Sequence, residues 1–363
     1  TPTFSAPPAV TGNPDQAMAG AARIVEAEYE IPFQGHTAIG PAHAMADPSN
    51  DQMTIYSNDM KSYGMRNSVA QFLNMPRDRV RVVWMEGPQA YGRTAADDAG
   101  FEAAYLAKAI GRPVRMQWTR QEETAWDTKG PAYAVKLRGG LDAQGNLVAL
   151  HYDACAADHN HLGYNEHDTV LISQLMGTRR ANVSPGRASL PSDMYAIPNR
   201  LQTTRVVPLP MPFETPLRTG NLRDPDGPQV TFASESFIDE LAHAAKKDPY
   251  EFRRQLMTEH PRFKTVLERV ATMSNWGSPL PPREGRGIAI TESFGSIVGE
   301  VAHVAVSSDG VLKVKTVYAA VDCGDVVNMD TATAQVEGGI TFGLAAAWLG
   351  AIPIAEGKVV ESN

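Results

Sequence analysis

The chain has 363 residues, 43% of them hydrophobic and 20% charged, with a formal net charge of -8, the composition of a globular protein of one large or two ordinary domains. The acidic balance offers no complementary surface to nucleic acid or an anionic membrane, and no apolar run approaches the length that spans a bilayer. Two cysteines, Cys155 and Cys323, are too few for an all-cysteine iron–sulfur cluster or a disulfide scaffold.

Taken in chain order, residues 1–20 read as a linker, proline- and alanine-rich and without an initiator methionine. The chain thus reads as a piece of a larger assembly. Residues 21–29 lead into QGHTAIGPAHAMAD, then a strand-like stretch at 53–56 and a helical pattern at 66–73 closed by Asn74 and Pro76. Residues 80–118 are the unit around which the rest is organised. A β-branched run at 80–83 enters a loop with Gly87 and Gly92. Phe101, Tyr105, Leu106 and Ile110 then recur at helical spacing with alanines between them. Gly111 and Pro113 stop that helix, and 114–118 form a second strand.

The loop has neither a G-x-G-x-x-G nor a Gly-Lys-Ser/Thr phosphate signature. Asp97 and Asp98 fall in the first helical turn, where they complement the helix dipole and would compete with a phosphate. Two readings stay open: glycine amides and Tyr91 facing a small polar ligand, or a tight turn that binds nothing.

Further on, 133–154 alternate as two strands around a turn at 142–146. Residues 163–198 are long and irregular, as in a functional loop or a surface packed against another chain. Residues 205–212 are extended. The second half of PLRTGNLRDPDGPQVTFASESFIDELAHAA turns helical, and Asp248-Pro249 starts another helix. Prolines at 279–282 mark a boundary between a region at 21–278 and one at 279–363. A hairpin at 299–321, a small-residue helix in DTATAQVEGGITFGLA, and a final hairpin turning at Glu356-Gly357 complete an α+β (mixed α/β) chain.

Three groups of residues carry chemistry. His159, His161 and His167 are either a metal chelate or solvated loop histidines, since they lack the i, i+4 register of a helical zinc site. Arg218 and Arg223 sit in a glycine- and proline-rich loop. They suit an anionic substrate or developing negative charge, or else pair with Asp224 and Asp226 at the surface. Gln335, Gly338 and Gly339 allow close approach of a cofactor or of another helix.

Four pieces in this order, QGHTAIGPAHAMAD, EGPQAYGRTAADDA, PLRTGNLRDPDGPQ with ESFIDELA, and VDCGDVVNMDTATAQVEGGITFGLA, make the chain resemble the molybdenum-binding large subunit of the xanthine dehydrogenase/aldehyde oxidase family. The resemblance is to its isoquinoline oxidoreductase, nicotinate dehydrogenase and membrane-associated aldehyde dehydrogenase branch, and runs from about residue 21 onward. It implies the large-subunit fold, incomplete at both ends. It also implies oxidation of an aldehyde, or hydroxylation of an N-heteroaromatic carbon with water-derived oxygen. The cofactor would be molybdopterin, in the cytosine dinucleotide form, with molybdenum. Electrons would pass to [2Fe-2S] clusters on a small partner subunit and on to a cytochrome c subunit, in a periplasmic, membrane-associated setting.

By the same resemblance, Gly87, Tyr91, Gly92, Arg93 and Gln335 fall at the cofactor, Met60 and Arg218 at the substrate pocket, and Arg223 at the reacting group as a charge stabiliser. Three departures stand out. Asp59-Met60 replaces a glutamine-bearing pair, and a thioether cannot donate its hydrogen bond. Gly87-Pro88-Gln89 replaces a more open glycine loop. The family's general-base glutamate motif and its Gly-Gln-Gly cofactor motif are absent from these residues. A non-catalytic paralogue that scaffolds electron-transfer partners is the alternative reading.

Overall fold

The computed structural model describes residues 2–87, 90–158, 166–177, 188–207 and 217–360. It opens with two short strands, β1 (Thr3–Phe4) and β2 (Ala9–Thr11), and a capped helix, α1 (Pro14–Ala19), whose Asn13 side chain accepts from Gln16 N–H. The expected linker is therefore structured. Both strands add antiparallel to residues 200–207, so their backbone groups find ladder partners despite the prolines between them.

The chain continues through β3 (Arg23–Ile31), β4 (His43–Asp47), β5 (Met53–Ser57), α2 (Ser62–Phe72) and β6 (Val80–Trp84). Next come α3 (Ala95–Ile110), β7 (Val114–Gln117), α4 (Arg120–Trp126), β8 (Tyr133–Leu141) and β9 (Leu147–Ala157). A short α5 (Leu171–Leu175) and β10 (Arg200–Val207) follow. Three helices, α6 (Gly227–Ala244), α7 (Pro249–Leu256) and α8 (Pro261–Met273), precede a meander of β11 (Glu284–Ser293), β12 (Ser296–Val306) and β13 (Leu312–Asp322). The described part ends with α9 (Met329–Trp348) and the hairpin β14 (Ile354–Ala355) and β15 (Lys358–Val359). Helices and strands thus mix along the chain as expected of an α+β protein.

Two sheets frame the site. The smaller runs β6-β5-β4-β7, with β5 and β6 parallel and the other pairs antiparallel. The strands on either side of α3 therefore lie at opposite edges of this sheet; α3 packs on β5, β4 and β7, and α2 covers β6. The packed face of α3 is the alanine face. Ala95, Ala99, Ala103, Ala104, Ala107 and Phe101 are buried, whereas Tyr105, Leu106 and Ile110 are exposed. Small side chains let the helix sit close on the sheet, which corrects the expected Phe–Tyr–Leu–Ile stripe. Gly111 closes α3 with φ of 64°, as a C-terminal left-handed cap does.

The larger sheet runs β1-β10-β9-β8-β3, with β2 also on β10. α6 packs across β3 and β8 and carries Phe237, Ile238 and Leu241 into a core shared with Tyr152, Val266, Ile288 and Val301. The β11–β12–β13 meander lies beyond α8. α9 keeps no fully buried residue and meets the first body near residue 223. Among the described residues, no helix is long and apolar enough to cross a membrane.

Candidate functional site

The loop after β6 is held by one carbonyl. Tyr91 has φ of 54° and Gly92 φ of 118°, both in the left-handed region. A Cβ at residue 92 would lie 1.8 Å from the Asn221 carbonyl oxygen, so only glycine fits. That same oxygen accepts the Arg93 N–H at 2.8 Å and lies 3.0 Å from His36 Nε2. Arg93 in turn offers its own carbonyl to the Thr128 hydroxyl. Segments far apart in sequence, around residues 36, 92, 128 and 221, are thus tied together directly beneath the loop.

Above them opens a cleft of about 510 Å³ lined by Met60, Ala90, Tyr91, Gly92, Asn221, Leu222, Arg223, Asp224, Pro225, Phe294 and Gln335. The Arg223 guanidinium donates to the Gln335 main-chain carbonyl at 2.9 Å and to its side-chain oxygen at 3.1 Å. It also lies 5.9 Å from the Tyr91 ring centre and 6.0 Å from that of Phe342, while those two rings pack at 4.7 Å with their planes tilted by 46°. The result is a cation braced by aromatic faces at a concave, half-open wall. A second opening of about 430 Å³ adjoins it across Met60 and Ala90, and is lined further by Asn58, Asp59, Trp84, Glu86 and Gly87.

Beneath the cleft lies a buried ionic base. Arg93 and Arg218 are both fully buried and both bind Asp98, Arg93 through two contacts at 2.9 and 3.2 Å and Arg218 at 2.9 Å. Burial alone would push the Asp98 carboxyl up, but the two guanidiniums hold it down at about 2. Neighbouring Asp97 is equally buried, with the Arg93 guanidinium 3.8 Å away. Burial pushes it up to about 7, with Asp98 and Asp59 adding to the rise against the pull of Arg93. Asp59, next to Met60, is also raised by burial. Asp98 is thus the counter-ion of two buried arginines, and Asp97 beside it is raised by burial, where both were expected to complement the helix dipole.

Several expectations resolve accordingly. Met60, Tyr91, Gly92, Arg223 and Gln335 come together at one cleft, and Gly87 lines the adjoining opening. Arg218 does not reach the pocket, because its guanidinium is spent on Asp98 and the Trp126 carbonyl in the core. The Arg93 side chain is likewise turned inward, leaving only its backbone near the loop. Asp224 and Asp226 are not the partners of Arg218 and Arg223. Asp224 accepts from Ser293, and Asp226 accepts from Tyr133 and Ser189. Pro88, Gln89, His159 and His161 lie outside the described residues. His167 is 3.7 Å from Asp168, and no metal-sized group of histidine, cysteine, aspartate or glutamate gathers among the described residues. Sequence reasoning missed His36, Asn221, Phe294 and Phe342. His36 stands inside a motif already singled out, so its neighbourhood, though not its partners, was signalled.

A mixed fold with a glycine-held loop facing an arginine cleft suits a cofactor-binding domain. Residues 3–257 match the family described as molybdopterin cofactor-binding domain, and residues 232–363 match a second domain of the same description. The chain therefore belongs to the molybdenum-binding subunits of the xanthine dehydrogenase/aldehyde oxidase family. It is 29% identical over 348 residues to a nicotinate dehydrogenase subunit of Pseudomonas putida, covering 91% of this chain and 28% of that protein. It is 28% identical to a membrane-bound aldehyde dehydrogenase (pyrroloquinoline-quinone) of Gluconacetobacter polyoxogenes, covering 96% of this chain and 47% of that one. The chain thus spans under half the length of these relatives. Among solved structures, aldehyde oxidoreductase from Desulfovibrio gigas superposes with a TM-score of 0.56 at 22% identity, covering 85% of this chain and 34% of that chain, which bears on the fold alone.

Proposed function

We propose that this chain forms the cofactor- and substrate-facing part of a molybdenum hydroxylase that oxidises an aldehyde to a carboxylic acid or hydroxylates an N-heteroaromatic carbon with water-derived oxygen. The observation that carries this reading is the convergence of Met60, Tyr91 and Arg223, from three distant segments, on one cleft over the Asn221 carbonyl.

The residues present fit a molybdopterin. The opening beside Met60 is walled by Gly87, Trp84 and Asp59, and the buried Asp59 Oδ2 has no hydrogen-bond partner among the described residues, leaving a polar atom for a polar heterocycle. Gly87 and the Tyr91–Gly92 loop would hold the group from one side and Gln335 would close on it from α9. Bound there, molybdopterin with its metal, in the cytosine dinucleotide form, would supply the two-electron oxidation. The protein's own residues do the rest. Arg223, already braced by Tyr91, Phe342 and Gln335, donates hydrogen bonds to negative charge developing on the substrate oxygen or ring nitrogen. The Tyr91 ring and Leu222 provide apolar walls that exclude water from the reacting carbon. Remaining segments of the large subunit, a [2Fe-2S] small subunit and a cytochrome c subunit would complete a periplasmic, membrane-associated complex.

Elemental analysis of the native co-purified complex is the direct test. Molybdenum near one per large subunit, with iron and with turnover of aldehydes or N-heterocycles, is the expected result. Iron without molybdenum would overturn the hydroxylase reading and leave an electron-transfer scaffold.

A further inference from the structure

His36 is fully buried, and both of its ring nitrogens face backbone carbonyls: Nδ1 lies 2.7 Å from Thr128 O and Nε2 lies 3.0 Å from Asn221 O. A carbonyl oxygen only accepts hydrogen bonds, and a neutral imidazole carries only one N–H. In either neutral tautomer, one nitrogen lone pair would be pressed against a carbonyl oxygen at hydrogen-bond distance. A ring protonated on both nitrogens satisfies both contacts. Such a cation inside a protein needs a counter-charge, and Asp127 Oδ2 stands 3.7 Å from Nδ1. The other charged groups around this pair are Lys129, Arg93, Asp98 and Glu123, which act on it through Asp127. Burial raises the Asp127 carboxyl and Asp98 adds to the rise; His36, Lys129 and Arg93 offset this only in part.

The acceptor on the Nε2 side makes the contact more than local. Asn221 O is the oxygen that also accepts the Arg93 N–H and abuts Gly92, and it lies two residues before Arg223. We propose that His36 is a positioning residue, held with a proton on both ring nitrogens, that fixes the 221–223 segment against the Tyr91–Gly92 loop and so sets where the Arg223 guanidinium stands in the cleft. Its charged ring and Asp127 form a buried ion pair beneath the site. The positioning role rests on the function proposed above; the charge on the ring does not.

Nitrogen-15 NMR of the His36 imidazole in the complete enzyme at neutral pH, assigned by comparison with His36→Gln, tests the charge. A proton on both ring nitrogens is the expected result, and a ring with one protonated and one bare nitrogen would overturn the proposal. The positioning role is read in the holoenzyme with His36→Gln, which retains donors for one carbonyl only. With molybdenum content unchanged, kcat/KM should fall by about tenfold or more, with the loss in KM rather than kcat. A variant with the wild-type KM would sink the positioning role. A wild-type complex with no molybdenum-dependent turnover would remove the proposed function instead, while the nitrogen-15 spectrum would still decide the state of the ring.

Discussion

Arg223 is the side chain on which the chemistry of the cleft turns, and its surroundings say which substitutions are informative. It donates through one terminal nitrogen to Gln335, and its side chain lines the cleft beside α9. Arg223→Ala in the complete enzyme should lower kcat/KM by about 10²-fold or more, the range seen when one donor to a developing charge is removed. Arg223→Lys, which keeps the charge and loses the fork, should fall between. If both variants turned over at the wild-type rate, the residue would have no part in the reaction. Met60 poses the complementary question, since its thioether occupies a wall where an amide could donate. Met60→Gln should change turnover by no more than about tenfold, one hydrogen bond's worth. A far larger gain would mean that the natural site is degenerate and would revive the scaffold reading. At this scale, the sequence revealed Arg223, Tyr91 and Met60 because their motifs are local. It misassigned Arg93 and Arg218 because burial is decided by packing that no short motif encodes. The four- and five-residue spacing from Arg93 to Asp97 and Asp98 was the one available hint that these charges pair with one another.

The loop between β6 and α3 is the element that gives the cleft its shape, and its geometry is set by sterics. Gly92→Ala would place a methyl group into the Asn221 carbonyl and impose a positive φ on a residue that resists it. The loop must then move or the Arg93 N–H must release Asn221. Loss of cofactor retention, with melting temperature lowered by several degrees, is the expected outcome for the complex. Full molybdenum content and unchanged turnover would show that the loop does not hold the cofactor. The strand–loop–helix–strand order of this region was readable from periodicity and the Gly111 stop. Its topology was not, because β6 and β7 sit at opposite edges of the sheet and pairing partners lie far off in sequence. The buried face of α3 was misread for a related reason. A helix lying close on β5, β4 and β7 favours alanine, so Tyr105, Leu106 and Ile110 are left outside. β11 and α8 went unseen, since β11 alternates weakly and α8 begins at a proline that also serves as a linker signal.

Across the whole molecule, the site is mounted on buried charge, which gives the fold a measurable pH signature. Asp97 has a folded-state pKa of about 7, raised by burial from the ordinary carboxylate range. A carboxyl raised on folding binds its proton more tightly in the folded than in the unfolded chain. The group's contribution is therefore most favourable at acid pH, declines as pH rises from about 4 to about 7, and stays lost above that. Asp97→Asn removes the titration while keeping the size of the side chain. The variant should match the wild type near pH 4 and exceed it at pH 8, by on the order of 2–4 kcal/mol as a ceiling. Glu102 and Glu123, also raised to about 7 by burial, are present in both proteins and cancel in the difference. Thermal unfolding of the two complexes across that pH range checks the sign. A difference that is flat with pH would mean that Asp97 is ionised in the folded protein and paired with Arg93. In that case the charge beneath the cleft would be balanced as two arginines against two carboxylates, and the Arg93–Asp97 distance of 3.8 Å would be an ion pair of the native state.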